Sequence, residues 1–147
     1  MAKNPFSETQ QKAIQDAIAT AELNTSGEIR VHIDSRCKDV PMKHAIAIFE
    51  KLKMHETEQR NGVLFYVAME DHKLAILGDK GINDVVPDHF WDVIRDMMID
   101  QFKKGNFTEG LVHGILMAGE ELKVAFPYNA ADNNELSNEI SFQDNNE

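Results

Sequence analysis

One cysteine, one tryptophan and no apolar run of bilayer length set the first limits on this chain of 147 residues. A single cysteine cannot close an intrachain disulfide, which fits a reducing compartment. No stretch approaches the roughly 20 apolar residues that span a bilayer. Met1–Ser7 lacks the apolar segment of a secretory signal. Together these point to a cytoplasmic protein with no membrane partner. Basic residues are also scarce: 15 Lys and Arg stand against 25 Asp and Glu, for a net charge of −10. Phosphate backbones need a basic patch, so a nucleic-acid binder is excluded. The balance suits a cation ligand or a basic protein partner. No Lys or Arg follows Lys123, while Asp132, Glu135, Glu139, Asp144 and Glu147 do. Those five acids carry half of the net charge. The length suffices for one domain with a real core.

Asn61–Asn83 organises the rest. Val63–Met69 is an unbroken apolar run, as expected of a strand covered on both faces. A tight polar turn at Glu70-Asp71-His72 leads to a second strand, Lys73–Leu77. Gly78-Asp79-Lys80-Gly81-Ile82-Asn83 then forms an exit loop. Its two glycines permit backbone shapes closed to other residues, and Asp79 and Asn83 offer oxygen ligands.

Upstream, Ser7 and Gln10 form a capping box behind Phe6. Ala13, Ile14, Ala17, Ile18 and Ala21 recur at helical spacing, predicting a helix over 8–22. Glu28–Asp34 alternates, with Ile29, Val31 and Ile33 on one face and polar residues on the other. Asp39 can cap the next helix, whose stripe is Met42, Ala45, Ile46, Phe49 and Leu52. Strand, helix, strand makes a right-handed βαβ unit with parallel strands. The short turn then forces the third strand antiparallel. Pro87 and Asp88 start a helix with an apolar face from Phe90 to Phe102, ended by Gly105. A last helix runs from Asn106–Thr108 to Phe126. Its Gly110, Gly114 and Ala118 lie four apart, which fits close packing against a neighbour. The expected domain is 1–127. The tail, 128–147, is acidic, rich in Asn and without a core pattern, so disorder is expected; Leu136 and Ile140, four apart, leave a short docked helix open.

Strand direction decides which polar residues can meet. The starts of the parallel strands and the exit of the antiparallel one share a sheet end, so Glu28, Asn61, Asp79, Asn83 and Asp88 can converge there. Carboxylate and amide oxygens are what a hard divalent cation takes: Ca²⁺, or Mg²⁺ as another candidate. Each could equally cap a turn or helix, Asp88 most simply. The opposite end carries Asp34, Glu70, Asp71 and His72, where Asp71-His72 reads as a hairpin turn.

Several familiar chemistries are missing. His55-Glu56-Thr57-Glu58-Gln59 has Gln where a zinc-protease helix needs its second His. There is no contiguous EF-hand loop, no Walker loop, no phosphoryl-accepting Asp-x-Asp pair, and no Arg placed after Cys37 to clasp a phosphate. His32 and His113 read as packing or surface residues.

Five landmarks in order resemble the TPM domain, a family named for a thylakoid lumen protein, a photosystem II repair protein and a nematode receptor modulator. They are Thr25-Ser26-Gly27-Glu28-Ile29, Arg60-Asn61-Gly62-Val63-Leu64, Gly78–Asn83, Phe107–Gly119 and Phe126-Pro127. The likeness covers about residues 5–127. It implies a three-layer α/β/α sandwich: a small mixed β-sheet, built from a βαβ unit plus a hairpin, flanked by about four helices. It also implies divalent-cation binding near these loops, and in plant members an acid phosphatase activity. Asn83 stands where the family has Glu, and Glu28 where secreted members tend to have Gln. Three functions follow as expectations: a Ca²⁺-binding domain; a metal-assisted phosphomonoesterase with Arg60 or Lys80 beside the phosphate; or a non-catalytic interaction module with an acidic tail for a basic partner.

Overall fold

The computed structural model describes residues 6–23, 25–127 and 140–142. Nine elements follow in order: α1 (Glu8–Glu22), β1 (Glu28–Asp34), α2 (Pro41–Lys51), β2 (Gly62–Ala68), β3 (Lys73–Gly78), α3 (Lys80–Asn83), α4 (Phe90–Lys103), α5 (Phe107–Ala125) and β4 (Ser141–Phe142). A 3₁₀ turn, Met54–Glu56, follows α2. The strands form one sheet in the order β3-β2-β1-β4. β1 pairs β2 in parallel with Glu28 opposite Gly62, and β2 pairs β3 antiparallel with Val63 opposite Gly78. The βαβ unit plus hairpin is therefore as the hydrophobic pattern requires.

Two cores explain why β2 is apolar throughout. Ile29, Val31, Ile33, Val63, Phe65 and Val67 point into a cluster with α1, α4 and α5. Leu64, Tyr66, Ala68 and Ala75 point the other way, onto Ala45 and Phe49 of α2 and onto Met54. The sheet lies between helices on both faces, a three-layer α/β/α sandwich. At about 25 cal/mol per Å² of buried apolar surface, these two layers are the main stabilising term.

The glycines of α5 do serve packing. A Cβ on Gly114 would lie 2.6 Å from Met98 Sδ of α4, and one on Gly119 would lie 2.6 Å from Ala21 Cβ and 2.7 Å from Ala21 Cα of α1. α5 thus sits at near-backbone distance from α1 and takes the Met98 side chain of α4 against Gly114.

Four details differ from the sequence reading. Val40, not Asp39, is the N-cap of α2, and it makes no side-chain cap bond. Asp39 instead offers its carbonyl to Cys37 and Lys73. Met42 and Ile46 of the expected stripe are 37% and 47% exposed, because α2 turns Ala45, Ile48, Phe49 and Leu52 to the sheet instead. α4 begins at Phe90 behind His89, which is left-handed with φ 64°, so Asp88 does not cap it. Within the tail, Ile140 enters the larger core and Ser141–Phe142 add β4 beside β1, while Leu136 lies outside the described residues.

Candidate functional site

The backbone brings three of the five candidate ligands to one sheet end. Glu28 lies opposite Gly62, and Asp79 N–H donates to the Gly62 carbonyl at 2.9 Å. Glu28, Gly62 and Asp79 therefore form a row across three strands, on the α2 side by alternation. Gly62 contributes no side chain between them. The row puts the two acidic Cα atoms about two strand spacings apart, ~10 Å. Both residues are buried, 3% and 7% exposed.

Asn61 precedes the row and is 1% exposed. Its N–H donates to Thr57 Oγ1 at 3.3 Å, and its carbonyl accepts Glu28 N–H at 3.3 Å. Its Nδ2 donates to Ser26 Oγ at 3.3 Å, an oxygen that also accepts from Gln59 Nε2 at 3.1 Å. That orientation leaves Asn61 Oδ1 buried with no hydrogen-bond partner. An unsatisfied buried oxygen costs about 1–3 kcal/mol, so such an atom calls for a donor or a cation.

Asp79 is already engaged. Arg60 Nε and Nη2 reach its two carboxylate oxygens at 2.7 and 2.9 Å, a bidentate clasp. This holds the Arg60 guanidinium in its charged form, its pKa raised by the hydrogen bonds and charge of Asp79. The reach depends on local backbone. Arg60 is left-handed with φ 52°. Gly81 packs so near that a Cβ would fall 2.3 Å from the Gln59 carbonyl oxygen. Asp79 is also the N-cap of α3, accepting Lys80 N–H at 2.8 Å. Lys80–Asn83 is thus a turn of helix where the two glycines suggest an exit loop.

Asn83 turns to other work. Its Nδ2 donates to the Gly78 carbonyl at 2.8 Å, and its Oδ1 accepts the Trp91 indole N–H at 2.9 Å. Asp88 is exposed, in the link between α3 and α4. Beside Asp79 a cavity of about 500 Å³ opens under α2. Phe49 and Leu77 give it apolar walls, and Glu50, His55 and Arg60 a polar rim. Among the described residues no group of three or more His, Cys, Asp or Glu is arranged to hold a metal. The donor set available is thus two carboxylates and one amide oxygen, all hard ligands.

A second polar cluster escaped the sequence reading. His32 and Asp34, two apart on β1, share the face of Tyr66 on β2. His32 Nε2 lies 2.7 Å from Asp34 Oδ1, and the Tyr66 hydroxyl donates to Asp34 Oδ2 at 2.6 Å. His32 Nδ1 meets Ser141 Oγ of β4 at 2.8 Å. The His32 and Tyr66 rings stack with centroids 6.0 Å apart. Burial alone would raise the Asp34 pKa, but the bonds from His32 and Tyr66 outweigh it and hold the carboxyl below its ordinary value. Burial and the same carboxylate push the Tyr66 phenol up. Strict alternation in β1 was the available signal; the cross-strand partners were not.

The family model of the TPM domain matches residues 2–121. The chain belongs to the TPM-domain family. The BA42 protein of the psychrophilic bacterium Bizionia argentinensis is 49% identical; the match covers 96% of this chain and 97% of that one, with a TM-score of 0.88. The N-terminal domain of a P. gingivalis protein is 19% identical over 84% and 82% of the two chains, with a TM-score of 0.69. The N-terminal domain of the cg2496 protein of Corynebacterium glutamicum is 15% identical over 80% and 74%, with a TM-score of 0.62. These last two share the fold alone. No curated protein matches the chain. Among the described residues of this TPM domain, no helix is long and apolar enough to cross a membrane.

Proposed function

We propose that this TPM domain binds a divalent cation, Ca²⁺ first among them, at the sheet end of Glu28, Asn61 and Asp79. The observation that carries the reading is Asn61 Oδ1, a buried oxygen without a hydrogen-bond partner at the sheet end that also holds the buried residues Glu28 and Asp79. Ca²⁺ takes six to eight oxygens, so three protein donors leave the remainder to water and imply an affinity near the weak end, about 10⁻⁴–10⁻³ M. Arg60 stands in the same place with one positive charge, so cation entry competes with its clasp on Asp79. Asn83 and Asp88 join only if the Trp91 contact opens and the α3–α4 link folds inward.

The test is a titration of Ca²⁺, then Mg²⁺, into metal-stripped protein, followed by amide shifts. Saturable shifts at residues 27–28, 61–62 and 78–88 are expected. Shifts confined to the acidic tail, or none at a few millimolar, about the weakest affinity in this class, overturn the reading.

A second reading has its own observation. The clasp fixes Arg60 in the wall of the 500 Å³ cavity beside His55. Its Nη1 is left over from the clasp, as a phosphate monoester would need. A bound cation would supply Lewis acidity and a more acidic water there. A panel of phosphate esters across pH and metals tests it, and no turnover anywhere removes it.

A further inference from the structure

We propose that the outer edge of β3 is the contact face of a two-fold dimer, in which β3 of one copy pairs antiparallel with β3 of a second and the sheet runs on through both.

β3 is the terminal strand of the sheet, and among the described residues no strand lies outside it. Its outer side therefore presents backbone N–H and C=O groups without ladder partners. Proteins blunt such an edge with proline, a bulge or a charge. Lys73–Gly78 contains no proline, and its six pairs with β2 run one to one without a bulge. Its single charge, Lys73, is folded back: Nζ donates to the Cys37 carbonyl at 2.9 Å and to that of Asp39 at 3.4 Å. The edge is thus left open to pairing.

The flanks of the edge suit a second copy. Leu74 and Ile76 face the core of α4, and Ala75 faces α2. A cavity of about 330 Å³ is lined by Met42 of α2, by Leu74 and Ile76, and by Trp91, Asp92 and Arg95 of α4. A space that touches both helices and the strand between them can lie only beyond that strand's outer edge. On the α2 side Val40, Met42 and Ile46 are exposed apolar residues, and Ile46 continues the flank to Leu77 and Gly78. α2 packs on Leu64, Tyr66 and Ala68 of β2 as well as on Ala75, so its axis lies over the space between β2 and β3. A strand added at about 4.8 Å beyond β3 then sets the two α2 axes about 10 Å apart, the distance at which helices pack. Met42 and Ile46 would fill that contact.

The charges on the α4 side are self-complementary. Asp92 and Arg95 both border the edge, one of each sign, with exposed Val93 between them. Within the chain Arg95 is held loosely, 3.7 Å from Asp92 and 3.6 Å from Asp96, while Asp92 also meets His89 at 3.1 Å. A two-fold axis perpendicular to the sheet lays α4 antiparallel to its copy. Asp92 of each copy then faces Arg95 of the other, the reciprocal pairing that an isologous interface requires.

The experiment is a dilution series of the full chain from about 1 mM to about 1 μM, followed by sedimentation and amide shifts. Dimers are expected at the upper end, with concentration-dependent shifts confined to 40–46, 73–78 and 91–95. Ile46→Lys, at an exposed position, is expected to leave only monomer. Asp92→Arg and Arg95→Asp each set like charges together at two symmetry-related places, and each alone is expected to weaken dimerisation by about tenfold or more. Mixed in equal amounts, these two variants restore both opposite-sign pairs and are expected to associate about as tightly as the unaltered protein. A chain that is still monomeric at the highest concentration overturns the proposal. So do dimers whose shifts fall on another surface, or charge variants that fail to rescue each other on mixing. If Ile46→Lys does not fold, the two charge variants decide the matter alone.

Discussion

Arg60 and Asp79 face each other through two hydrogen bonds of 2.7 and 2.9 Å, and the same carboxylate caps α3. One buried acid thus neutralises a cation, starts a helix and borders the proposed metal site. The two partners are unequal. Arg60 is half exposed and Asp79 is buried. Asp79→Ala removes the helix cap, worth about 1 kcal/mol, as well as the clasp, so it should lower thermal stability more than Arg60→Ala. Their effects on cation binding should have opposite signs. Asp79→Ala should weaken Ca²⁺ binding, because a ligand is gone. Arg60→Ala should strengthen it, because the competing charge is gone. Melting curves and Ca²⁺ titrations of both variants check the pair of signs.

Asp34 links stability to pH. Its pKa is lowered in the folded state, so its contribution is fully present above the unfolded value of about 3.9 and fades as pH falls through the lower folded value. Tyr66→Phe removes the donor to Asp34 Oδ2, a bond to a charged group worth about 2 kcal/mol. The variant should lose roughly that much at pH 7. It should also unfold at higher pH in acid titration, since its Asp34 retains a more ordinary pKa. Below the folded pKa of Asp34 the gap between the two proteins should narrow. Denaturant melts at pH 7 and near pH 3 test this; a gap that stays constant would exclude the carboxylate as its cause.

Gly114 and Gly119 occupy neighbouring turns of α5 but should respond differently to alanine. Both gain about 1 kcal/mol of helix propensity from the change. A methyl on Gly114 meets the Met98 thioether at 2.6 Å, the flexible part of a side chain that can move aside. A methyl on Gly119 meets Ala21 Cα at 2.7 Å and its carbonyl oxygen at 3.0 Å, which move only with α1. Gly119→Ala should therefore destabilise by about 1–3 kcal/mol net of propensity, and Gly114→Ala by clearly less. Chemical denaturation of both variants measures the difference.

How much of this was legible depends on how local the signal is. β1, β2 and β3 were readable because alternation in Glu28–Asp34 and an unbroken run at Val63–Ala68 each have one structural meaning. Their directions followed from connection lengths. α1 and α5 announced themselves through Ser7 with Gln10 and through repeated apolar and glycine positions. α3 did not, because four residues hold barely one turn of periodicity, and Gly78 and Gly81 read as loop. β4 has only two residues and no pattern of its own; Ile140 and Phe142 are explained by the sheet they join. At the site, strand direction was enough to bring Glu28, Asn61 and Asp79 to one end. It could not foresee that Arg60 would turn back through a left-handed backbone to clasp Asp79. Nor could it foresee that Asn83 would face Trp91, since both depend on side-chain geometry across elements. The His32–Asp34–Tyr66–Ser141 chain needed the register of three strands at once.

Asn83 and Trp91 supply a reporter for the cation question. Trp91 is the only tryptophan, and its indole N–H donates to Asn83 Oδ1 at 2.9 Å. Any recruitment of Asn83 oxygen by a cation must break that bond or polarise it, and either changes the indole environment. If Asn83 takes part, Ca²⁺ should shift the emission of the unaltered protein with the same midpoint as the amide shifts at Asn61. If Asn83 stays with Trp91, emission should stay constant while Asn61 responds, leaving a site of Glu28, Asn61 and Asp79 alone. Asn83→Asp adds a carboxylate at this position and keeps an acceptor for the indole. With one more anionic ligand beside a divalent ion, it should tighten Ca²⁺ binding by about tenfold, or ~1.4 kcal/mol. Where Asn83 is a ligand, Asn83→Leu should abolish the emission response and weaken the Asn61 midpoint; where it is not, the Asn61 midpoint should stay near its original value. The two variants, read by fluorescence and amide shifts together, decide which oxygens hold the ion.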